Sequence, residues 1–223
     1  MPAAAQYAGG PSLTIDAMSD DRRRGLSWSD GDPALRAALS VPVASGLSLD
    51  GAATTTRRGA RHGGADAAID LGATWLHQLG GWRLGAEARY HLFPGASGQG
   101  YGEAGATAGV TLGPASVDLA ARYAPRQSAI GGDSLYLSAG AALGLPGTPF
   151  TLSGHVGRST GDTRDPTRAA RLRPGGNYWD HGVALDWYGR RWSAGLRYAD
   201  TDIDAPGVAH AGATLIARVG LML

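Results

Sequence analysis

The chain has 223 residues and a formal net charge of +1, and all 20 positions counted as lysine or arginine are arginine. This near balance indicates no global attraction to nucleic acid or to an anionic surface, so we expect no nucleic-acid partner. Cysteine is absent, which excludes disulfides, thiol catalysis and thiolate metal sites.

The length and the lack of a linker-like stretch predict one large domain. No apolar run reaches the roughly 18 to 20 residues that a membrane-spanning helix needs. The opening "MPAAAQ" is similar to a small-residue cleavage site without a complete signal peptide before it. We therefore expect an exported, mature or nearly mature protein, with an N-terminal periplasmic segment at 1–11 and a single barrel domain at 12–223.

From residue 12 onward, apolar and polar residues alternate, which is the pattern of a strand with two different faces. Within 82–92, Trp82 and Tyr90 share one face, whereas Arg83 and Glu87 share the other. The pattern predicts an all-β protein of about twelve strands. These strands lie near 12–20, 34–44, 47–57, 67–78, 82–92, 101–112, 116–124, 134–145, 150–159, 178–188, 192–200 and 210–223.

The connections between these strands alternate strictly between short and long. Short turns lie near 45–46, 79–81, 113–115, 146–149 and 189–191. Long polar segments lie near 21–33, 58–66, 93–100, 125–133, 160–177 and 201–209. This alternation predicts a transmembrane, antiparallel up-and-down β-barrel with short periplasmic turns, longer extracellular loops and both termini on the short-turn side.

Aromatic residues on the apolar face gather near both ends of the strands, as they do at the two interfaces of membrane barrels. The short-turn ends carry Trp75, Trp82, Phe150, Trp187 and Trp192, and the long-loop ends carry Tyr90, Tyr123, Trp179 and Tyr198. We therefore expect the apolar face to contact lipid and the polar face to line the interior. The alternative is a soluble barrel with the apolar set inside, which would fill a wide interior largely with alanine and glycine.

Three segments, taken in order, resemble the TorF family of bacterial outer-membrane barrels, which is described as a porin family. They are "SDDRRRGLSWSDGDPAL" (19–35), "PFTLSGHVGRS" (149–159) and "LRYADTDIDAPG" (196–207). The resemblance implies an outer-membrane porin without family-wide catalytic residues. Asp21 and Arg23 stand where the family has aromatic residues, and Leu223 replaces the usual terminal Phe. The alternating pattern before Leu223 still favours assembly by the outer-membrane barrel insertion machinery.

Other motifs give little support to a catalytic or cofactor site. The run from Asp200 to Asp204 begins like a calcium loop but lacks its glycine and its final glutamate, so a non-standard cation site with Asp30 and Asp32 is the remaining alternative to a solvated loop. "GYGEAG" at 100–105 is followed by strand rather than by the helix that a dinucleotide site requires. We expect no enzymatic activity, no metal and no cofactor.

The inward face predicts a charged lumen. Its candidate pore-lining residues are Arg22, Arg24, Arg36, Asp70, Glu87, Arg89, Glu103, Arg122, Asp180, Arg197 and Arg218. In one interpretation they line a water-filled channel. In the other, Glu103 pairs with Arg89 and Arg122, Asp180 pairs with Arg197, and the ion pairs close the lumen. Twelve strands lie between filled eight-stranded barrels and open porins of sixteen or more, so both interpretations stay open.

The direction of each residue in the first long loop follows if the phase of the first strand continues into it. Asp20, Arg22 and Arg24 then face inward, whereas Asp21 and Arg23 face outward. The Asp-Gly-Asp at 30–32 has the composition of a turn. The loop at 161–177, with arginines at 164, 168, 171 and 173, is expected either to fold inward as a constriction or to bind lipopolysaccharide phosphates.

These observations predict a narrow, monomeric porin in the cell outer membrane that passes small polar or ionic solutes by passive diffusion. Its expected partners are membrane lipid and lipopolysaccharide. The alternative function is a closed structural or surface-interaction barrel with an ion-paired lumen that does not conduct.

Overall fold

The computed structural model describes residues 10–223 and shows a closed antiparallel barrel of twelve strands. The barrel strands are β1 Ser12–Met18, β4 Ala34–Ala44, β5 Leu47–Thr55, β6 Ala67–Leu79, β7 Trp82–Leu92, β8 Tyr101–Leu112, β9 Ala115–Gln127, β10 Gly132–Gly144, β11 Phe150–Thr160, β12 Tyr178–Tyr188, β13 Trp192–Thr201 and β14 Thr214–Met222. A separate hairpin in the first long loop is formed by β2 Arg22–Arg23 and β3 Leu26–Ser27. The long loops also hold 3-10 turns at Ala60–His62 and Ser128–Ile130 and a short helix, α1 Pro166–Ala169.

The predicted fold class is confirmed, since all twelve barrel strands lie where alternation indicated. The largest shift is in the final strand, which begins at Thr214 rather than at residue 210. Each barrel strand pairs with its neighbours along the chain, and β1 closes the barrel by pairing with both β4 and β14. Ile15, for example, lies opposite Ala37 on one side and Leu221 on the other. A single chain therefore encloses the whole lumen.

The two faces of the strands differ as the period-two pattern predicted. Along β12, Tyr178, Asp180 and Ala184 are buried, whereas Trp179 and Val183 are exposed on the outer surface. The large apolar side chains of the other strands are exposed in the same way, and this arrangement is opposite to that of a soluble barrel. All nine aromatic residues predicted to gather near the strand ends are among the exposed hydrophobic side chains.

No helix within residues 10–223 is long and apolar enough to cross a membrane. Residues 1–9, which make up most of the predicted periplasmic segment at 1–11, lie outside the described residues.

Candidate functional site in the barrel lumen

The first long loop, residues 19–33, folds over the mouth of the barrel as the hairpin of β2 and β3. Its turn residues, Arg24 and Gly25, have positive φ angles of 54° and 75°. Positive φ at both positions is typical of the tight two-residue turn that joins antiparallel strands. Gly25 is also needed for space, because a Cβ there would collide with Thr201 and Asp180 of the barrel wall. The tip of the hairpin is thus pressed against the wall near β12 and β13.

Arg23 fastens one side of this hairpin to the barrel. Its Nη1 donates to both carboxylate oxygens of Asp70, at 3.0 and 3.2 Å, and its Nη2 donates to the hydroxyl of Thr54 at 3.2 Å. The guanidinium also lies 3.8 Å from the ring centroid of Trp28. Such a stack adds a cation–π attraction to the ion pair. The loop is therefore bonded to the inner face of β5 and β6.

Arg24 fastens the hairpin to the far side of the lumen. Its guanidinium forms an ion pair with Glu103 on β8 and lies 4.9 Å from the ring centroid of Tyr136 on β10. The hydroxyl of Tyr178 on β12 donates to the backbone carbonyl of Arg24 at 2.9 Å. With the contacts of Arg23, the hairpin is held from β5 to β12 and crosses the mouth.

Three predicted directions in this loop are wrong. Asp21 was expected to face outward, but it is buried and accepts from Arg23 Nε. Arg23 was expected to face outward, but it enters the lumen. Arg22 was expected to line the pore, but it donates to Asp20 at 2.7 Å and to the carbonyl of Gly212 at 2.7 Å, within the loops. The reason is that β1 leaves the barrel ladder at Met18, so its phase does not extend into the separate hairpin.

His91 joins the two carboxylates that hold the hairpin. Its Nδ1 lies 2.7 Å from Asp70 Oδ1 and its Nε2 lies 3.4 Å from Glu103 Oε1. Arg36 adds an ion pair to Asp70 at 3.3 Å. The side chains of Asp70, His91 and Glu103 are only 5 to 6% exposed. The upper lumen is thus occupied by a buried network of ionisable groups.

An apolar core covers this network. It consists of Trp28, Ala65, Ala68, Phe93, Tyr101, Ala124, Ala129, Ile130 and Leu172. His62 stacks on Phe93 with ring centroids 4.8 Å apart and packs on Trp28 at 4.6 Å. Its ring nitrogens have no hydrogen-bond partner among residues 10–223. Burial, together with the neighbouring Arg171, lowers the pKa of His62 from 6.5 to about 3, so its imidazole is neutral at ordinary pH.

Two of the four arginines of the 161–177 loop, Arg171 and Arg173, are buried, whereas Arg164 and Arg168 are exposed. Arg171 donates to the backbone carbonyls of Arg61, Gln99 and Ala129, and burial lowers its pKa to about 10. Arg173 donates to the carbonyls of residues 133, 161 and 162. Buried guanidiniums that bond carbonyls in this way fasten loops together. Since Arg171 and Arg173 are buried, they are not available on the surface for phosphate groups.

A second, more accessible group of charges lies on β7 and β9, from the level of Glu103 down into the lower lumen near the short turns. Glu87 accepts from Arg122 Nε and from Arg89 Nη2, the latter at 3.1 Å. The side chains of Arg89 and Arg122 are 31 and 29% exposed. The predicted pairing of both arginines with Glu103 is wrong, because Arg24 descends from the loop and takes that carboxylate.

Inward-facing glycines leave the space in which these charged groups lie. Arg83 donates to Asp118 at 2.7 Å across Gly109, whose added Cβ would collide with the Asp118 carboxylate. In the same way, a Cβ on Gly105 would lie 2.9 Å from Glu87 Oε1. The arrangement recurs where Gly157 faces Asp180, Gly195 faces Asp186 and Gly220 faces Asp16. Many of the glycines therefore allow side chains to lie flat against the barrel wall.

The closed-lumen interpretation pairs Asp180 with Arg197, and the structure contradicts this pair. Asp180 is fully buried and accepts from the hydroxyl of Tyr136 at 3.1 Å, with His155 Nε2 at 3.2 Å. Arg197 is exposed, and its side chain makes no hydrogen bond or ion pair within residues 10–223. Tyr136 reaches Asp180 because Gly157, between them, has no side chain.

Arg218 occupies the opposite wall of the lower lumen. Its two terminal nitrogens donate to Asp16 and Asp186, both at 3.0 Å.

Among the part of the chain that is described, no cluster of three or more metal-ligating side chains could hold a metal ion. The acidic loop at 200–204 instead uses its carboxylates locally, as where Asp202 accepts from the backbone N–H of Trp179 at 2.7 Å.

A cavity of about 570 Å³ lies beneath the hairpin and extends from Arg24 and Trp28 down to Arg83 and Asp118. Four of the residues predicted to line the pore lie on its wall: Arg24, Arg89, Glu103 and Arg122. Sequence reasoning missed Arg23, Trp28 and Tyr136, which also line it. The local sequence signal for the hairpin that carries Arg23 was the Arg24-Gly25 pair, because its glycine suits a tight turn.

Residues 5–219 match the model of a family described as "Bacterial protein of unknown function (Gcw_chp)". The chain belongs to this family. Its description gives no activity, and no curated protein matches the chain. The likeness to the TorF family stays a prediction.

Solved structures with the same barrel are porins and channels. The KdgM porin superposes with a TM-score of 0.63 at 11% identity, covering 95% of this chain and 97% of that one. The NanC porin gives 0.62 at 11% identity, covering 94% and 98%. An outer-membrane channel from Pseudomonas putida F1 gives 0.58 at 10% identity, covering 96% of each. At these identities, the likeness of this Gcw_chp member to them shows the fold alone.

Proposed function

We propose that this protein is an outer-membrane channel for passive diffusion of small polar or ionic solutes, with the first external loop as its outer constriction. The observation that carries the proposal is the charged cavity inside the closed barrel. The side chains of Arg83 and Asp118 there are 35 and 47% exposed, although they lie within the barrel wall. Charges that stay this accessible inside a barrel favour a hydrated path over a packed core.

The outer surface supports the location. Its exposed apolar side chains and its aromatic residues near both strand ends suit a bilayer with two interfaces. Since one chain closes the barrel, a monomer suffices for transport. The alternating apolar residues of the last strand suit assembly by the barrel insertion machinery, and the lipid contacts include lipopolysaccharide in the outer leaflet. The proposal assigns no catalytic residue and no cofactor.

One of the similar solved structures gives a reason to test acidic sugars as solutes. The KdgM porin has been solved "in complex with disordered oligogalacturonate", at a TM-score of 0.62 to this chain. Because identity is 11%, that complex supports only the choice of a test solute.

A second candidate is a closed barrel that does not conduct, and the ion pairs of Arg23 and Arg24 favour it. Both guanidiniums bond carboxylates whose side chains are only 5 to 6% exposed. If the hairpin never leaves this position, it blocks the mouth. The loops would then be the functional surface.

Conductance in a planar bilayer separates the two candidates. We expect the natural protein to give small single-channel steps in potassium chloride. A variant in which Gly-Gly replaces residues 21–29 should give steps several times larger, because the hairpin is the narrowest obstruction. Silence of both proteins, beside a reference porin that conducts under the same conditions, would rule out the channel. Equal steps from both would remove the hairpin as the constriction.

A further inference from the structure

We propose that the wall formed by β7, β8 and β9 binds solutes that carry carboxylate groups, and that linear polycarboxylates suit it best. This inference rests on the proposed channel function and names its solute class. The wall is defined by three guanidiniums, those of Arg83, Arg89 and Arg122, which all line the cavity. They face it from β7 and β9, with Gly105 and Gly109 of β8 opposite Arg122 and Arg83, and Glu103 of β8 opposite Arg89.

The first support is the number of free donors. Each guanidinium bonds a protein carboxylate through one nitrogen only: Arg83 through Nη2, Arg89 through Nη2 and Arg122 through Nε. The other two nitrogens of each group have no hydrogen-bond partner among residues 10–223. By contrast, Arg23 in the hairpin uses all three of its nitrogens. The wall therefore keeps donors available for a ligand.

The second support is the charge balance. Glu103, the third carboxylate of this wall, is paired with Arg24 of the hairpin. The three guanidiniums therefore face two remaining carboxylates, those of Glu87 and Asp118. Glu87 alone serves both Arg89 and Arg122, so one positive charge is left over. An anion entering the cavity would share these guanidiniums without displacing the existing pairs.

The third support is the geometry of the row. Glu87 and Arg122 lie opposite Gly105 on β8, and Arg83 and Asp118 lie opposite Gly109. Glycine leaves the planar guanidiniums flat and accessible from the lumen. Arg89 and Arg83 are six residues apart on one strand, or about 20 Å, with Arg122 at a height between them. A single file of guanidiniums spaced along the axis suits carboxylates repeated along a chain.

The free N–H groups of these three guanidiniums fit a carboxylate ligand in both charge and shape. A guanidinium presents paired N–H groups that fit the two oxygens of a carboxylate, and such charge-assisted bonds are stronger than neutral ones. Phosphate shares part of this chemistry, so an inorganic phosphate arm is needed in the test. A neutral sugar offers no charge for the extra guanidinium.

The test is equilibrium binding of trigalacturonate to the full chain in detergent, by calorimetry, with maltotriose as the uncharged sugar of equal length. Binding does not require conduction, so this result is separate from the bilayer result. We expect trigalacturonate to bind at least tenfold more tightly than maltotriose and than inorganic phosphate. Equal affinities for the two sugars would overturn the proposal, even for a protein that conducts. A preference for phosphate would overturn the carboxylate assignment.

Matched variants locate the site. R83Q and R122Q together should lower trigalacturonate affinity by about tenfold or more, which corresponds to the loss of charge-assisted hydrogen bonds. R218Q removes one positive charge from the opposite wall, where both terminal nitrogens are already bonded to carboxylates, so its loss should stay below about twofold. An equal loss in R122Q alone and R218Q would mean that net charge, rather than this wall, sets affinity. Heat-modifiable gel mobility checks that each barrel is folded.

Discussion

The two halves of the lumen contain the same kinds of ionisable side chain in very different surroundings. Next to the long loops, Asp70 and Glu103 are 5 and 6% exposed and are bonded by arginines from the first loop. Near the short turns, Asp118 is 47% exposed and is bonded by Arg83 of β7. The barrel supplies carboxylates at both levels. The hairpin covers the upper set, whereas in the lower set Asp118 stays accessible and Asp186, bonded by Arg218, is 12% exposed.

This difference has an energetic consequence. A buried ion pair gains little over an apolar pair of the same shape, but removing one partner leaves an uncompensated charge and costs about 3 to 5 kcal/mol. An exposed pair contributes about 0 to 1 kcal/mol. We therefore expect substitutions in the upper half to change the position of the hairpin, and equivalent substitutions in the lower half to change only the local charge.

The largest effect is expected from R24A. It leaves the Glu103 carboxylate buried with His91 as its remaining ionic partner, so the closed position of the hairpin should lose about 3 kcal/mol or more. Amide hydrogens of residues 20–29 should then exchange about a hundredfold faster, as measured by mass spectrometry. Open-channel events should become more frequent in the bilayer.

The double variant R24A/E103Q is the control for that experiment, because it removes both charges. Most of the exchange protection should return. If R24A alone leaves exchange of this segment unchanged, then the ion pair does not hold the hairpin in place.

The next effect is a pH dependence that comes from His62. Its pKa is about 3 in the closed loops and near 6.5 when exposed. Between these values the opened state binds a proton that the closed state does not, so stability of the closed loops falls as pH falls from about 6.5 toward 3. At pH 5 the loss is about 2 kcal/mol. Hydrogen exchange around residues 58–66 should therefore accelerate from pH 7 to pH 5, after correction for the intrinsic pH dependence of exchange.

H62F isolates this contribution. Phenylalanine keeps the stacking on Phe93 and Trp28, and it loses no hydrogen bond because neither ring nitrogen of His62 has one among residues 10–223. Arg23, Arg61 and Arg171 keep their charges in this range. The same acceleration in H62F and in the natural protein would assign the pH dependence to a group other than His62.

The strands could be predicted from the sequence because a strand repeats every two residues, and the inward direction of Asp70, Glu87 and Arg122 followed from the same rule. The rule stops where a strand leaves the sheet, as β1 does at Met18. Beyond that point, the direction of Arg23 depends on how the loop folds against the lumen, and no period in the sequence encodes that fold.

Pairing partners were harder to predict for the same reason. Glu103 lies directly opposite Arg89 across β7 and β8, so the wall alone suggests that pair. The arginine that takes Glu103 comes from a loop 79 positions earlier in the chain. In the lower half, the pairs of Arg83 with Asp118 and of Arg218 with Asp186 each span one intervening strand, across Gly109 and Gly195. Such pairs can be predicted once short turns fix the register, as at Gly109 opposite Asp118.

The smallest predicted effect, that of G109A, tests whether shape rather than charge organises the lower half. The added Cβ would collide with the Asp118 carboxylate and lie 3.2 Å from Arg83 Nη2, so the flexible carboxylate should swing away and release the guanidinium. Since the pair is exposed, the free energy of unfolding should fall by about 1 kcal/mol or less. The reversal potential in a salt gradient should shift toward anion selectivity.

G140A is the matched control, because a Cβ at that inward glycine on the same cavity wall makes only ordinary contacts, the nearest at 3.6 Å. Neither variant alters a charge, so a shift in G109A alone would mean that a glycine sets the field inside the lumen by deciding where a carboxylate lies. Equal behaviour of both would mean that Asp118 adjusts without releasing Arg83.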